Sequence, residues 1–143
     1  MDFRYNIEQA DRGPAPFATN IELLVRRNEN FRTAIWTGTH LQITLMCIPP
    51  EEDIGLEMHP DTDQMIRIEH GIAVVKMGAT RNQMTFRQNV CAGDIILIPA
   101  GTWHNIINAG RSPLKVSSVY APPNHPKGTV HYTKEDAKKA ETY

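Results

Sequence analysis

Short runs of alternating apolar and polar residues, separated by turn residues, occupy most of the chain between residues 31 and 121. The runs 31–36 and 41–48 flank a turn, and the runs 72–77 and 84–88 flank another. Successive side chains of a strand point to opposite faces, so each run predicts a strand with one buried face. Many short strands at regular spacing are typical of two sheets packed together. We therefore predict an all-β domain, a double-sheet barrel of the jelly-roll type.

The N-terminal part of the chain has a different pattern. Residues 1–19 contain Gly and Pro but no apolar period, which predicts an irregular arm. The segment 21–25 fits two structures. It is a short helix if Thr19 or Asn20 caps it, and a strand if its alternating apolar residues share one face.

The C-terminal part of the chain predicts the one clear helix. Thr133 and Asp136 resemble a capping box, and Glu135 and Lys139 have the spacing of a helical ion pair, so we expect a short surface helix over residues 134–141. The expected organisation is an arm at 1–30 that packs on the barrel or on a dimer partner, a barrel at 31–121, and a tail at 122–143 with the short helix.

One predicted strand carries polar residues on a face that should be buried. Within 41–48, Gln42, Thr44 and Met46 share one face, opposite a face of apolar residues. A polar stripe is unusual in a dry core. We therefore predict that these three residues line a pocket and contact a small-molecule substrate.

An apolar run that ends in a turn and a histidine covers residues 93–108, with the sequence GDIILIPAGTWHNIIN. Pro99 and Gly101 supply a rigid turn after a short buried strand, and His104 begins the next strand. The spacing of the glycines, the proline, the histidine and the final asparagine resembles the second of the two motifs that define the cupin family. The resemblance implies a double-stranded β-helix, the cupin jelly-roll barrel, with His104 as a metal ligand at its mouth.

The first cupin motif is altered in this chain. Its usual metal ligands are two histidines and a glutamate. When the motif is aligned on its last glycine, Gly71, those positions hold Glu57, His59 and Gln64. Glu51 stands where the opening glycine is expected. Glu57 and His59 are two residues apart, so both side chains point to one side of an extended chain.

The resemblance implies that one divalent metal ion binds at these positions. The implied ligands are Glu57, His59, Gln64 and His104. Imidazole suits Zn, Fe, Ni and Cu, and the carboxylate and amide oxygens also admit Mn, so the ligand types do not distinguish Zn, Mn, Fe and Ni. An open coordination position would serve metal catalysis. The alternative is that Gln64 only makes hydrogen bonds inside the barrel and that the site is vestigial.

Composition and charge limit the partners. The 143 residues fit one domain, and 15 Lys and Arg balance 16 Asp and Glu. The sequence contains no basic run or stripe, which argues against nucleic acid and anionic membranes as partners. No segment approaches the ~18 consecutive apolar residues of a transmembrane helix. Since no secretion signal is recognisable either, we expect a cytoplasmic protein.

The segments 30–34, 36–38 and 121–126 resemble a subgroup of small bacterial single-domain cupins, often labelled as resembling mannose-6-phosphate isomerase. This resemblance implies a homodimer. It favours a metal-dependent enzyme that acts on a small polar substrate, sugar-like or a hydroxy acid, by isomerase or lyase chemistry. The alternatives are a non-catalytic binding or sensing module and, with iron, a dioxygenase.

No catalytic residue is identified by the motifs themselves. If Glu57 is not a metal ligand, it is the best candidate for a general base, because a carboxylate beside a hydrophobic wall is expected to have a raised pKa. His125 and His131 lie in the tail, which either folds over the pocket mouth or packs on the outside of the barrel.

Overall fold

The computed structural model of the protein describes residues 10–141 of the chain. Nine strands and two short helices follow one another within these residues. In chain order they are α1 (Ile21–Arg27), β1 (Arg32–Thr37), β2 (Gln42–Ile48), β3 (Asp63–His70), β4 (Ile72–Gly78), β5 (Phe86–Cys91), β6 (Ile95–Ile98), β7 (Trp103–Asn108), β8 (Leu114–Ala121), β9 (Val130–His131) and α2 (Lys134–Glu141).

The strands form two antiparallel sheets. The larger sheet has the order β6-β3-β8-β2-β1-β9, and the smaller has the order β5-β4-β7. Apolar side chains from both sheets form a single buried cluster, so the sheets pack face to face. This arrangement confirms the predicted all-β jelly-roll barrel. The centre of its core contains Met46, Ile66, Ile68, Val75, Ile106 and Val116.

The inner face of the larger sheet changes from polar to apolar along the strands. Residues directly opposite each other on paired strands share a face. One such row consists of Gln42, Tyr120, Gln64 and Ile98. The next row consists of Thr44, Ser118, Ile66 and Ile96. The row that follows these two along the strands is apolar. Since the first row holds the larger polar groups, hydrogen-bonding side chains are concentrated at one end of the barrel interior.

The segment that fitted either a helix or a strand is a helix, α1. The Asn20 side-chain oxygen accepts a hydrogen bond from the Leu23 amide at 2.9 Å, which caps the helix. Leu24 and Val25 are buried in a second apolar cluster with Leu45 and its neighbours. The cap and this packing decide the structure in favour of the helix. Residues 1–9 of the predicted arm lie outside the described residues.

The predicted C-terminal helix is confirmed as α2. Its capping box is reciprocal, since the Asp136 amide donates to the Thr133 hydroxyl at 3.1 Å and the Thr133 amide donates to the Asp136 carboxylate at 3.3 Å. The helix buries little beyond Ala137. Among residues 10–141, no helix is long and apolar enough to cross a membrane.

Both ends of the altered first motif adopt a left-handed backbone conformation. Gly71 has φ +100°, and a Cβ atom there would lie 3.2 Å from the Leu114 Cα. Both facts explain why a glycine occupies this position. Glu51, which replaces the expected opening glycine, has φ +69°. The backbone turn therefore persists after the substitution, at the cost of some strain in a residue with a side chain.

Candidate metal centre

Three side chains from two segments meet at the polar end of the barrel. The potential ligand atoms of Glu57, His59 and His104 all lie within 4.8 Å of one another. Glu57 Oε2 is 3.2 Å from His59 Nε2 and 3.7 Å from His104 Nε2. Zinc binds nitrogen and oxygen ligands at about 2.0–2.2 Å, which places neighbouring ligand atoms roughly 3–3.5 Å apart. The cluster thus has nearly the dimensions required to surround one ion.

Backbone pairing fixes the relative positions of these side chains. Glu57 and His104 exchange both of their backbone hydrogen bonds, each with a length of 2.9 Å, so their side chains leave the same face of the chain. His59 follows two residues after Glu57, and its carbonyl accepts a hydrogen bond from the Gly101 amide at 2.8 Å. The turn of the second motif thereby holds the segment that carries the altered first motif.

Both imidazole groups of the cluster have an Nε2 atom with no hydrogen-bond partner in the described residues. His104 Nδ1 lies 3.0 Å from the carbonyl oxygen of Thr102, which can only accept, so Nδ1 carries a proton and Nε2 is the nitrogen left to bind a metal ion. The Nε2 atoms of His59 and His104 are buried without a hydrogen bond. A histidine held by a carbonyl through one nitrogen is the usual arrangement of a metal ligand. The donor set therefore fits a divalent cation.

Gln64 also has an orphaned polar atom. Its amide nitrogen donates to the Ser118 hydroxyl at 2.8 Å, whereas its amide oxygen is buried without a partner. Gln64 lies opposite Tyr120 in the sheet, and the Tyr120 ring is 5.8 Å from the His59 ring. These contacts place Gln64 in the same interior layer as the cluster. Its role as a fourth ligand stays a prediction.

The expected rise in the pKa of Glu57 is wrong. Burial does favour the neutral carboxylic acid, but the His104 and His59 imidazoles and the charge of Arg32 outweigh burial and hold the pKa of Glu57 well below its ordinary value. Glu57 is therefore an anion at neutral pH. That state suits a metal ligand better than a base that must take up a proton.

A cavity of about 560 Å³ opens beside the cluster and is lined in part by Arg32, Glu57, His59, His125 and His131. The tail folds over the barrel here and forms one wall, which answers the open question about its two histidines. The spacing of the motifs gave no signal for Arg32. The sequence showed only that a charged residue lies near the start of a predicted strand. That position did not distinguish Arg32 from the other arginines, which are scattered along the chain.

The polar stripe of β2 lies behind this cavity rather than on its surface. Gln42 and Thr44 are 0% exposed, Met46 is 1% exposed, and none of them belongs to the cavity lining. The Gln42 side chain binds the tail instead. Its oxygen accepts from the amides of Asn124 and His125 at 3.0 and 2.9 Å, and its nitrogen donates to the His125 carbonyl at 2.7 Å. Contact of the stripe with a substrate stays a prediction.

The acid sensitivity of the fold should depend on His125. Burial, together with the charge of Arg32, lowers the pKa of His125 to about 3. The unfolded chain protonates this residue below pH ~6.5, whereas the folded chain does not until much lower pH, so stability falls as the pH falls through this window. Replacing His125 by Gln should reduce the dependence of the unfolding free energy on pH between about pH 6 and 4 by up to 1.4 kcal/mol per unit.

Urea unfolding at several pH values measures this dependence. His40→Gln, a change at an exposed histidine in the turn before β2, is the matched control and should leave the slope unaltered. Equal slopes for the wild type and His125→Gln would contradict the assignment.

Known proteins of similar sequence and structure match most of the chain. A family model described as a cupin domain matches residues 44–120. The uncharacterized protein YrkC of Bacillus subtilis is 54% identical over 136 residues, which cover 95% of this chain and 73% of that protein. The crystal structure of a Bacillus halodurans protein has a TM-score of 0.90 and 54% identity, and the match covers 91% of this chain and 98% of that chain.

A more distant match is the structure of Lactobacillus farciminis oxalate decarboxylase in a formate complex. Its TM-score is 0.55 at 25% identity, and the match covers 61% of this chain and 25% of that chain. The matched family model spans more than half of the chain and includes Glu57, His59 and His104. This protein is a member of the cupin family.

Proposed function

We propose that this protein is a metal-dependent cupin enzyme that acts on a small polar substrate, sugar-like or a hydroxy acid, by isomerase or lyase chemistry. The observation that carries the proposal is the set of buried, partnerless imidazole nitrogens beside an anionic carboxylate at the wall of a cavity of about 560 Å³. Buried polar atoms without partners are costly, so a fold that retains them at one point favours a bound ligand there.

Glu57, His59 and His104 would hold one divalent ion, with Gln64 as the proposed fourth ligand. The ligand types admit Zn, Mn, Fe and Ni. A bound ion of this kind supplies Lewis acidity to a carbonyl or hydroxyl oxygen of the substrate. The chain contributes a fixed geometry, since Thr102 orients the His104 ring and Arg32 faces the second oxygen of Glu57 at 3.8 Å.

The two tail histidines of the cavity wall can bind polar groups of a substrate without adding charge. Burial lowers the pKa values of His125 and His131, so both side chains are neutral at physiological pH. His131 Nδ1 accepts a hydrogen bond from Arg32 Nη1 at 3.1 Å, which leaves its other nitrogen as a donor. The likeness to an oxalate decarboxylase, a lyase by name, supports a small acid as substrate and lyase chemistry.

Proton NMR in deuterium oxide tests the proposal. Metal-loaded protein is incubated with a panel of small hydroxy acids and sugars, and we expect at least one compound to be converted or to exchange a carbon-bound proton for deuterium. Chelated protein and His104→Ala protein should leave the same compound unchanged. His70→Ala, which changes a histidine at the opposite end of β3, is the matched control and should retain the activity.

A second candidate function is non-catalytic binding or sensing of a small molecule. The lowered pKa of Glu57 favours it, because the carboxylate of the cluster is a weak base at neutral pH. A compound that binds the metal-loaded protein and is returned unchanged by wild-type and His104→Ala protein alike would establish binding alone and overturn the proposed enzyme. Oxygen consumption that requires bound iron would instead identify a dioxygenase.

A further inference from the structure

Arg32 is a buried cation in the wall of the cavity. Arg32 is the first residue of β1, and its side chain is 2% exposed. The side chain forms part of the cavity lining beside the metal cluster. Nη1 donates to His131 at 3.1 Å, while Nη2 is 3.8 Å from Glu57 Oε1, which is longer than a hydrogen bond. The Nε atom is buried without a partner. The guanidinium group therefore uses only part of its donor capacity.

The charges around Arg32 do not balance once a divalent ion is bound. A guanidinium stays protonated inside a protein, and a buried charge is costly unless it is paired. Within the described residues, Glu57 is the carboxylate that pairs with Arg32. The other oxygen of Glu57 faces the two imidazoles. The single negative charge of Glu57 would therefore have to neutralise both the guanidinium and the divalent ion. The cluster would then retain a net positive charge.

The remaining cavity wall does not supply the missing negative charge. Beyond the cluster, its polar side chains are the neutral His125, His131, Asn124 and Thr129. Glu141 lines the cavity as well, but it is an exposed residue at the end of α2, where water screens its charge. A group that enters the cavity beside Arg32 and the metal-loaded cluster would therefore meet an uncompensated positive field.

We propose that Arg32 binds the carboxylate of the substrate, so that the site takes small hydroxy acids as anions in preference to neutral sugars and polyols. This inference rests on the proposed function, because it assumes a bound divalent ion. The planar donors of a guanidinium match the two oxygens of a carboxylate, and Arg32 lines the cavity with its Nε–H unpaired. The neighbouring hydroxyl of the acid would then face the cluster.

Titration calorimetry with lactate and lactamide tests the proposal, because the two compounds have nearly the same size and differ in charge. Metal-loaded wild-type protein should bind lactate roughly 10- to 100-fold more tightly than lactamide, the range for a charge-assisted hydrogen bond. In Arg32→Gln protein the lactate affinity should fall towards that of lactamide, while the lactamide affinity is unchanged. Arg32→Lys should give an intermediate ratio, since it keeps the charge but loses the planar fork.

The control variant is Arg87→Gln, which removes the same charge from an exposed position on β5 outside the cavity and should keep the wild-type ratio. Metal content is measured in every sample. If metal is bound but lactate and lactamide bind equally, or if their ratio is the same in Arg32→Gln and Arg32→Lys as in the wild type, the role of Arg32 is overturned and the proposed function survives. Absence of bound metal in the wild type overturns both. If Arg32→Gln does not fold, Arg32→Lys and the wild-type ratio decide.

Discussion

Replacing Glu57 by Gln is expected to abolish stoichiometric metal binding, with a loss of affinity of at least about 100-fold. The change keeps the shape of the side chain but removes the negative charge of the cluster. Removal of partners that merely orient a metal ligand already costs about 10–100-fold, so loss of a charged ligand should exceed that range. Elemental analysis of dialysed protein gives the metal content directly.

Thermal unfolding provides a second measure of the same change. Metal at about 100 times its dissociation constant stabilises the folded wild type by about 2.7 kcal/mol, which for a chain of this size raises the Tm by about 5–11 °C. The Glu57→Gln protein should show no such shift. Without metal, the variant should also be less stable than the wild type by about 3 kcal/mol, because Arg32 would lose its buried carboxylate partner.

Glu22→Gln is the matched control, since Glu22 forms an exposed ion pair with Arg26 on α1. Exposed helical pairs contribute little, so this control should stay within about 0.5 kcal/mol of the wild type and keep the metal. Retention of metal by Glu57→Gln at the wild-type level would show that Glu57 is not a ligand.

Replacing Gln42 by Leu is expected to destabilise the protein by about 3 kcal/mol and to release the tail from the barrel. The amide of Gln42 makes four hydrogen bonds, to Thr37, Asn124 and both backbone groups of His125. Leu fills a similar volume but bonds to none of them. Each partly buried backbone group left without a partner costs roughly 1–3 kcal/mol, although water reaching the exposed edge of the tail should offset part of the sum.

Urea unfolding measures the stability, and limited trypsin digestion measures the release of the tail. Cleavage after Lys127, which lies next to the segment held by Gln42, should be faster in the variant. Gln88→Leu changes an exposed glutamine on β5 and should leave both measurements as in the wild type. Unchanged stability together with unchanged cleavage after Lys127 would contradict the assigned role of Gln42.

Local patterns were sufficient for much of the fold and for part of the site. Strand alternation and turn residues predicted the two-sheet barrel, and the capping residues of α2 predicted that helix, because these signals act within a few residues of the chain. The spacing of Glu57 and His59, with His104 from the second motif, predicted three side chains that the structure does bring together. Alternation explains this success, since residues two apart in an extended segment share a side.

Features that depend on distant contacts could not be predicted in the same way. Arg32 and His131 become neighbours only when β9 pairs with β1, a contact between segments far apart in sequence. The direction of the Glu57 pKa shift depends on the contacts of its carboxylate with His104, His59 and Arg32, whereas the sequence alone suggested burial and therefore the opposite sign. For α1, local propensity was balanced between helix and strand, and the Asn20 cap together with packing on the larger sheet decided the outcome. The homodimer and the cytoplasmic location stay predictions.

The most direct test of the metal centre is a crystal structure of metal-loaded protein with anomalous diffraction data. One anomalous peak is predicted about 2.0–2.2 Å from Glu57 Oε2 and from the Nε2 atoms of His59 and His104. A peak elsewhere in a protein that retains its metal, or no peak with these three side chains turned away from one another, would contradict the account.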